Sequence, residues 1–507
     1  MQLPQSFQQL NPMTPTKTEC SAKPYAFGQL DRRQVVADFS GGQITTDGGL
    51  IFVAQVDKHY RISERLAACF GDQRAPTRVQ HELSDLIAQR LYGLVQGYED
   101  LNDHDALRHE PMFGIAVGKL ESDHARCAPL AGKSTLNRLE QAMHVEAELS
   151  QERYVKFSLK PEAIERLLVE MFVEQMGSAP KQMLVDLDVT DDPVHGEQEQ
   201  AFFNGYYDHE CYAPLLIFCG RHLLCAKLRA SNVDPAAGAL PELQRIIAQI
   251  RTYWPYTRML VRGDSAYGRE EILSWCESEP NVEYVIAYPS NARLRTLTGR
   301  LEQRAKAAYE QHRQQVETTL EPLFAFQENL KAELDSVVPP HVWYQSVNYR
   351  TEESWSRPRR LVCKLTYDAT GAHRHFVVTS IPTQQVSAGK LHQDYYCPRG
   401  EMENRIKEHQ LDLFSDRTST HEFESNQLRL WFSSFAYILM QTLRQQALAH
   451  TELADAQLGT IRLKLLKLGA QIRISVRRVV IAFSSHWAGQ PLFNHVYQQL
   501  QQLPHPG

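Results

Sequence analysis

The sequence predicts a mixed α/β protein in which an all-helical first region leads into a mixed β-sheet covered by helices. Three observations predict it. Apolar residues recur every three or four positions through most of residues 46–177, the period of a helix with one buried face. Between 182 and 289 the period drops to two and five strand-like runs appear, the first three as a meander and the rest alternating with helical patterns. The chain has 507 residues, enough for several domains at about 100 to 200 residues each.

Each segment has its own reason. Residues 1–45 open on a Gln-, Pro- and Thr-rich stretch without periodicity, which predicts a mobile arm. Residues 46–180 form the helical domain. Leu83, Leu86, Ile87, Leu91, Leu94 and Val95 make one stripe, and Ile164, Leu167, Leu168 and Met171 make another on a helix from Pro161 to Met176. Residues 181–289 supply the sheet: MLVDLDVT (183–190), YAPLLIFCG (212–220), HLLCAKLRA (222–230), RMLVRGD (258–264) and YVIAYP (284–289), with helices at 239–252 and 269–277. Residues 290–390 read as an inserted subdomain, helix over 297–335 and then strands over 341–381. Residues 391–450 are helical again, with Leu428, Trp431, Phe432, Phe435, Ile438 and Leu439 on one face, and residues 451–507 end the chain with a basic, β-rich piece at 459–485.

Composition excludes several classes. Lys plus Arg number 54 against 60 Asp plus Glu, a net charge of −6, so any polyanion must be met by locally concentrated charge. The nine cysteines include no Cys-x-x-Cys pair, which argues against a zinc ribbon or a disulfide framework and for a reducing cytosol. No apolar run approaches the ~20 residues of a membrane helix, and a soluble intracellular protein is expected.

The chemistry concentrates in three places. Asp186 and Asp188 lie two apart on one strand and so share a face, as site carboxylates or as a polar strand edge. Asp264 ends a second strand before a helix, where α/β sheets place ligands, though a helix cap is the competing reading. In YCPRGEMENRIKEHQ (396–410), Tyr396, Arg399, Glu403 and Lys407 follow at offsets of three and four. On a regular α-helix these four, with Gln410, fall in one sector, as a binding face or as ordinary solvated ion pairs. Carboxylates converging from rigid elements are what two-metal phosphoryl transfer requires, and oxygen ligands without thiolates select Mg²⁺ or Mn²⁺.

The strand order and these motifs resemble the ribonuclease-H-like core of DDE transposases from bacterial insertion sequences. Tyr396-x2-Arg399-x3-Glu403 matches the Tyr-Arg-Glu part of the superfamily motif. DLDVTDDPVHGEQE, FNGYYDHECYAPLLIFCG, RGDSAYGREEILSWCE and ENRIKE resemble more narrowly the insertion sequence thirteen-eighty group. The resemblance covers about residues 30–490. It implies Asp188, Asp264 and Glu403 as a catalytic and metal-binding triad, Asp188 being preferred to Asp186 because Thr190 follows it by two. It implies two Mg²⁺ or Mn²⁺ ions per site, and Tyr396, Arg399 and Lys407 as contacts to DNA phosphate. Where the family has a final Lys this chain has Gln410, one turn beyond Lys407. In related enzymes an insertion supplies a Trp that stacks on a flipped base; Trp343 and Trp355 are candidates, with a core role the weightier reading of either.

Other motifs complete the expectations. LAGKST (130–135) lacks the first Gly and the preceding strand of a phosphate loop. Ser134 is read instead as the N-cap of a helix through Glu140, exposing Lys133, Asn137 and Arg138 for DNA or simply for solvent. Arg462, Lys464, Lys467, Arg473, Arg477 and Arg478 give residues 459–478 a charge of +6 with no acid, a DNA-binding face or the wet side of a small sheet. His195 is a loop histidine near the first site strand. The expected activity is transposition, with double-stranded terminal inverted repeats and target DNA as partners, a homodimer on DNA, and a bacterial cytoplasmic, nucleoid-associated location. The alternatives are a non-cutting repressor descended from a transposase and a nuclease that hydrolyses without joining.

Overall fold

Alternating runs such as MLVDLDVT become the strands of a central eight-stranded sheet. The computed structural model describes residues 24–121, 128–144, 156–324 and 334–503. The sheet's strands are β1 (Gln182–Val189), β2 (Leu215–Cys219), β3 (His222–Lys227), β4 (Arg258–Gly263), β5 (Val282–Tyr288), β6 (His341–Tyr349), β7 (Arg359–Asp368) and β8 (Gly371–Thr379), in the order β3-β2-β1-β4-β5-β8-β7-β6. β4 runs parallel to both β1 and β5; the other neighbours are antiparallel. Met183, Val185, Leu187, Met259 and Val261 bury one face against apolar side chains of the helices Ala239–Tyr253 and Glu270–Ser278. Leu260, Val285, Val362 and Val377 bury the other against Leu391, with Leu184, Tyr395 and Tyr396 packed around them.

The insertion expected at 290–390 does not build a sheet of its own. β8 pairs with β5 from Val285↔Thr379 to Tyr288↔Phe376, so its three strands extend the sheet. Phe376, Val377 and Val378 are all buried, and a strand apolar on both faces is stable only inside a sheet.

The helical region is neither all-helical nor separate. Helices α1 (Leu50–Tyr60), α2 (Leu83–Gln96), α3 (Lys133–Glu140) and α4 (Pro161–Met176) share one core with α5 (Phe423–Ala447). Leu428 through Arg444 on α5 is almost continuously buried, the pattern of a helix enclosed on every side. Short strands Phe70–Asp72, Met143–His144 and Phe157–Leu159 form a small sheet in this region; so few residues show no period.

Both chain ends also differ from expectation. Within the predicted arm, residues 1–23 lie outside the described residues, while Tyr25–Leu30 and Arg33–Ala37 make an exposed hairpin. Gln43–Thr45 pairs with Ala470–Ser475, which pairs in turn with Arg478–Phe483. The predicted β piece at 459–485 begins as helix over Leu458–Ile461 and Arg462–Leu466, because Leu458, Ile461, Leu465 and Leu466 are buried at helical spacing. Among the described residues no helix is long and apolar enough to cross a membrane.

Candidate active site

Strand register assembles the site. Parallel pairing sets Arg262 on β4 beside Asp186 on β1, so Asp188, still within β1, and Asp264, just past the end of β4, come together at the sheet's carboxyl edge. Asp186 is already committed. Arg262 donates to it through Nε at 2.5 Å and Nη2 at 2.7 Å, both side chains being buried, and through Nη1 to the Tyr395 carbonyl at 2.9 Å. That fork ties β1 and β4 to the Leu391–Tyr396 segment. Asp188 faces Arg399 instead, whose Nη2 lies 2.8 Å from Oδ2. Burial raises the Asp188 carboxyl to about 6; Arg399 opposes this and the nearby Asp264 charge adds to it. Asp264 also serves as a cap: its Oδ1 accepts from Ala266 N at 2.9 Å and fixes the Ser265–Tyr267 turn. The cap holds the carboxylate at the strand end, as the capping reading expected.

The helix carrying Tyr396, Arg399 and Glu403 is irregular. Leu391–Tyr396 is π-helical, Cys397–Gly400 is a 3₁₀ turn, Glu401–Lys407 is α-helical and Glu408–Asp412 is π-helical again. Arg399 in the 3₁₀ turn faces Asp188, and the charges of Arg399, Asp264 and Asp188 all reach Tyr396 just before that turn. The Tyr396 ring is packed by His375 and His392, with centroids 5.0 and 5.7 Å away. Glu403 does not join them. Its exposed carboxylate accepts from Lys407 Nζ at 2.7 Å, which holds it below the usual range. Gln410 turns elsewhere too: Nε2 donates to the Asp191 carbonyl at 2.8 Å and to buried Asp192 Oδ1 at 3.1 Å, and Oε1 accepts from Thr190 at 3.2 Å. Glu403 and Lys407 therefore pair with each other on the regular α-helical turn, where the Arg399 charge also reaches Glu403, while Gln410 beyond it bonds to the residues that follow β1.

Sequence reasoning missed Tyr267 and Arg229. Tyr267 is 1% exposed and feels the charges of Asp188, Arg229, Asp264 and Arg399. Its spacing in Gly263-Asp264-Ser265-Ala266-Tyr267 was the available signal. The Tyr207 hydroxyl, also near Asp188, is raised by burial and by Asp191.

The remaining candidates divide by burial. Arg462 is a structural anchor, donating to the carbonyls of Val95 at 2.6 Å and of Leu94 and Asp412. Lys467 pairs with buried Asp47 at 2.7 Å over the Tyr98 ring. These two leave the expected basic face, while Lys464, Arg473, Arg477 and Arg478 are exposed. Lys133 and Arg138 are exposed on α3, and Lys133 contacts Asp105 and Asn102. Ser134 is not the cap: α3 starts at Lys133, whose N–H donates to Asp105 Oδ1 at 3.1 Å. Trp355 is core, 3% exposed against Tyr288, Tyr349 and Arg359, and Trp343 packs on the same core. His195 is exposed.

Residues 27–505 match the family described as transposase DDE domain group 1. The chain belongs to this DDE transposase family. No curated protein matches it. Among solved structures, the cryo-EM structure of the piggyBac transposase synaptic complex with hairpin DNA matches with a TM-score of 0.37 and 8% identity, over 83% of this chain and 80% of that one. DDE transposases use divalent metal ions, and the donor set of this DDE transposase fits them in part. Asp188 and Asp264 are adjacent oxygen donors whose mutual repulsion a cation would relieve. Among the described residues no three His, Cys, Asp or Glu side chains converge as ligands, since Glu403 faces Lys407.

Proposed function

We propose that this DDE transposase binds the terminal inverted repeats of an insertion sequence as a homodimer, cleaves the DNA at the element ends and joins it to target DNA by two-metal phosphoryl transfer. The observation that carries this reading is the Asp188–Asp264 pair at neighbouring ends of parallel strands. Asp188, Asp264 and Glu403 would hold two Mg²⁺ or Mn²⁺ ions, which when bound supply Lewis acidity at the phosphodiester. Arg399 favours the ionised form of Asp188 and orients it. Tyr396 presents its hydroxyl to a DNA phosphate, and Lys407 meets the backbone next to it. Glu403 is available to the pair because its exposed contact with Lys407 is worth only about 0.5 kcal/mol.

DNA outside the site is held by exposed cations. Arg473, Arg477 and Arg478 lie on the tip of the hairpin, which extends as two strands past the third strand Gln43–Thr45, and a two-stranded ribbon fits a DNA groove. Lys464, and Lys133 and Arg138 on α3, add phosphate contacts, and the setting is the bacterial cytoplasm at the nucleoid. The test is incubation of the full chain with Mg²⁺ and DNA carrying the inverted repeats that flank its coding sequence. Nicking and insertion into a target plasmid are expected from the wild type and neither from Asp264→Asn; nicking that survives this substitution sinks the assignment, and nicking without insertion marks a hydrolytic nuclease.

A second reading, a DNA-binding repressor that no longer cuts, is favoured by the outward Glu403 and by Gln410 in place of the family's Lys. End-specific DNA binding without Mg²⁺, and no cleavage with it, would select that reading.

A further inference from the structure

Arg262 and Asp186 form a buried ion pair that takes no part in the chemistry assigned to the site. Their side chains are only 3% and 4% exposed. Arg262 spends two donors on the carboxylate, Nε at 2.5 Å and Nη2 at 2.7 Å, and a third, Nη1, on the Tyr395 carbonyl at 2.9 Å. A buried pair adds little net stability, because desolvating two charges offsets their attraction. What this one provides is the third bond, which leaves the sheet and fixes a backbone carbonyl beside the site.

The sequence explains why that carbonyl takes a donor from another element. Tyr395 stands just before the 3₁₀ turn Cys397–Gly400. A 3₁₀ bond to its oxygen would come from residue 398, and residue 398 is a proline, which has no N–H. Arg262 supplies a donor instead. Tyr396 is the next residue and Arg399 lies within the turn, so this tie sits at the root of the segment that carries both. The segment has a second polar tie, in which Arg399 Nη2 lies 2.8 Å from Asp188 Oδ2 and 3.4 Å from the Leu187 carbonyl. The two ties differ in access. Arg399 and Asp188 are 16% and 21% exposed, within reach of an incoming cation, whereas the Arg262 tie is sealed against the sheet. A cation that takes Asp188 loosens the outer tie and leaves the inner one.

We propose that Arg262, held by Asp186, is a positioning residue for the cleavage reaction: its bond to the Tyr395 carbonyl keeps Tyr396 and Arg399 at the site when Asp188 turns from Arg399 to a divalent ion. The inference rests on the reading of Asp188 and Asp264 as metal ligands.

End-DNA cleavage by the full chain tests it, read together with DNA affinity without Mg²⁺, melting temperature and hydrogen exchange. Arg262→Lys keeps a buried cation for Asp186 but loses the fork that also reaches Tyr395. Asp186→Val combined with Arg262→Met removes both charges and keeps the space filled with apolar groups, a replacement that buried pairs often tolerate. In both variants turnover at saturating DNA should fall about 100-fold, the cost of a ~1 Å misplacement, while DNA affinity and melting temperature stay at wild-type values. Amides over 391–400 should exchange about 5-fold faster, the worth of one hydrogen bond, with β4 unchanged. Wild-type turnover in either variant, alongside loss in Asp264→Asn, overturns this inference and leaves the ligand reading standing. Failure of both variants to fold makes the pair a structural element and overturns it as well. Cleavage that survives Asp264→Asn, or no cleavage by the wild type, overturns the ligand reading together with it.

Discussion

Arg399 Nη2 stands 2.8 Å from Asp188 Oδ2, so this guanidinium neutralises a carboxylate that the aspartate pair would offer to a metal ion. Both side chains are mostly buried, at 16% and 21% exposure. The pair compensates a charge that burial and Asp264 disfavour. Arg399→Ala should cost about 1 to 3 kcal/mol at pH 8, less than a fully buried pair. Because the Asp188 carboxyl titrates at about 6, most of that loss should vanish at pH 5, where Asp188 is already protonated and the pair is weakened in the wild type. Urea unfolding of both proteins at the two pH values measures it; equal losses would show that the pair is not what Arg399 contributes.

Glu403 separates function from stability. Its carboxylate is 69% exposed and pairs with Lys407, 56% exposed. Glu403→Gln should leave unfolding free energy within about 0.5 kcal/mol of wild type. Cleavage of end DNA should nevertheless fall by orders of magnitude. Full activity in a stable Glu403→Gln protein would remove it from the site.

His409 predicts an acid sensitivity. It is fully buried, Nε2 lying 3.1 Å from Ser434 Oγ, and burial lowers it to about 3. Since an unfolded histidine titrates near 6.5, the unfolded chain binds the extra proton between about 6.5 and 3, and folding loses stability as pH falls through that window. The loss is about 1.4 kcal/mol per pH unit. His409→Gln lacks this proton, so from pH 7.5 to 5.0 the wild type should lose about 2 kcal/mol more than the variant. Parallel pH profiles in denaturant would show His409 to be hydrated or charged in the folded protein.

How much of this was legible follows from what is local. The strands of the sheet from Met183 to Tyr288 could be read because alternation is a property of consecutive residues. That β8 joins β5, or that Gln43–Thr45 joins the hairpin near the other end of the chain, depends on non-local pairing that no period records. Asp186 and Asp188 could be placed on one face but not told apart by spacing alone, because the β1–β4 register gives Arg262 to the first and the distant Cys397–Gly400 turn gives Arg399 to the second. The partner of Glu403 could not be read either, because the π and 3₁₀ turns around Pro398 change the angle per residue, and Tyr267 carries no charge to draw notice.

The basic strip shows the same limit in energetic form and gives the last prediction. Arg462 and Arg473 are the same residue type eleven positions apart, yet one satisfies carbonyls at the end of α2 and the other is exposed on a ribbon. Arg462→Ala leaves buried carbonyls without a donor, at about 1 to 3 kcal/mol each, and should destabilise the fold by roughly 3 kcal/mol in urea. Arg473→Ala, Arg477→Ala and Arg478→Ala together should leave stability almost unchanged. They should instead weaken DNA binding and flatten its dependence on salt, since each phosphate that is no longer neutralised reduces the slope of log K against log[salt] by about 0.9. Removing all three cations would lower it by about 2.7. Fluorescence anisotropy on one duplex between 50 and about 200 mM salt reads that slope, and an unchanged slope in the triple variant would assign DNA binding to a different face.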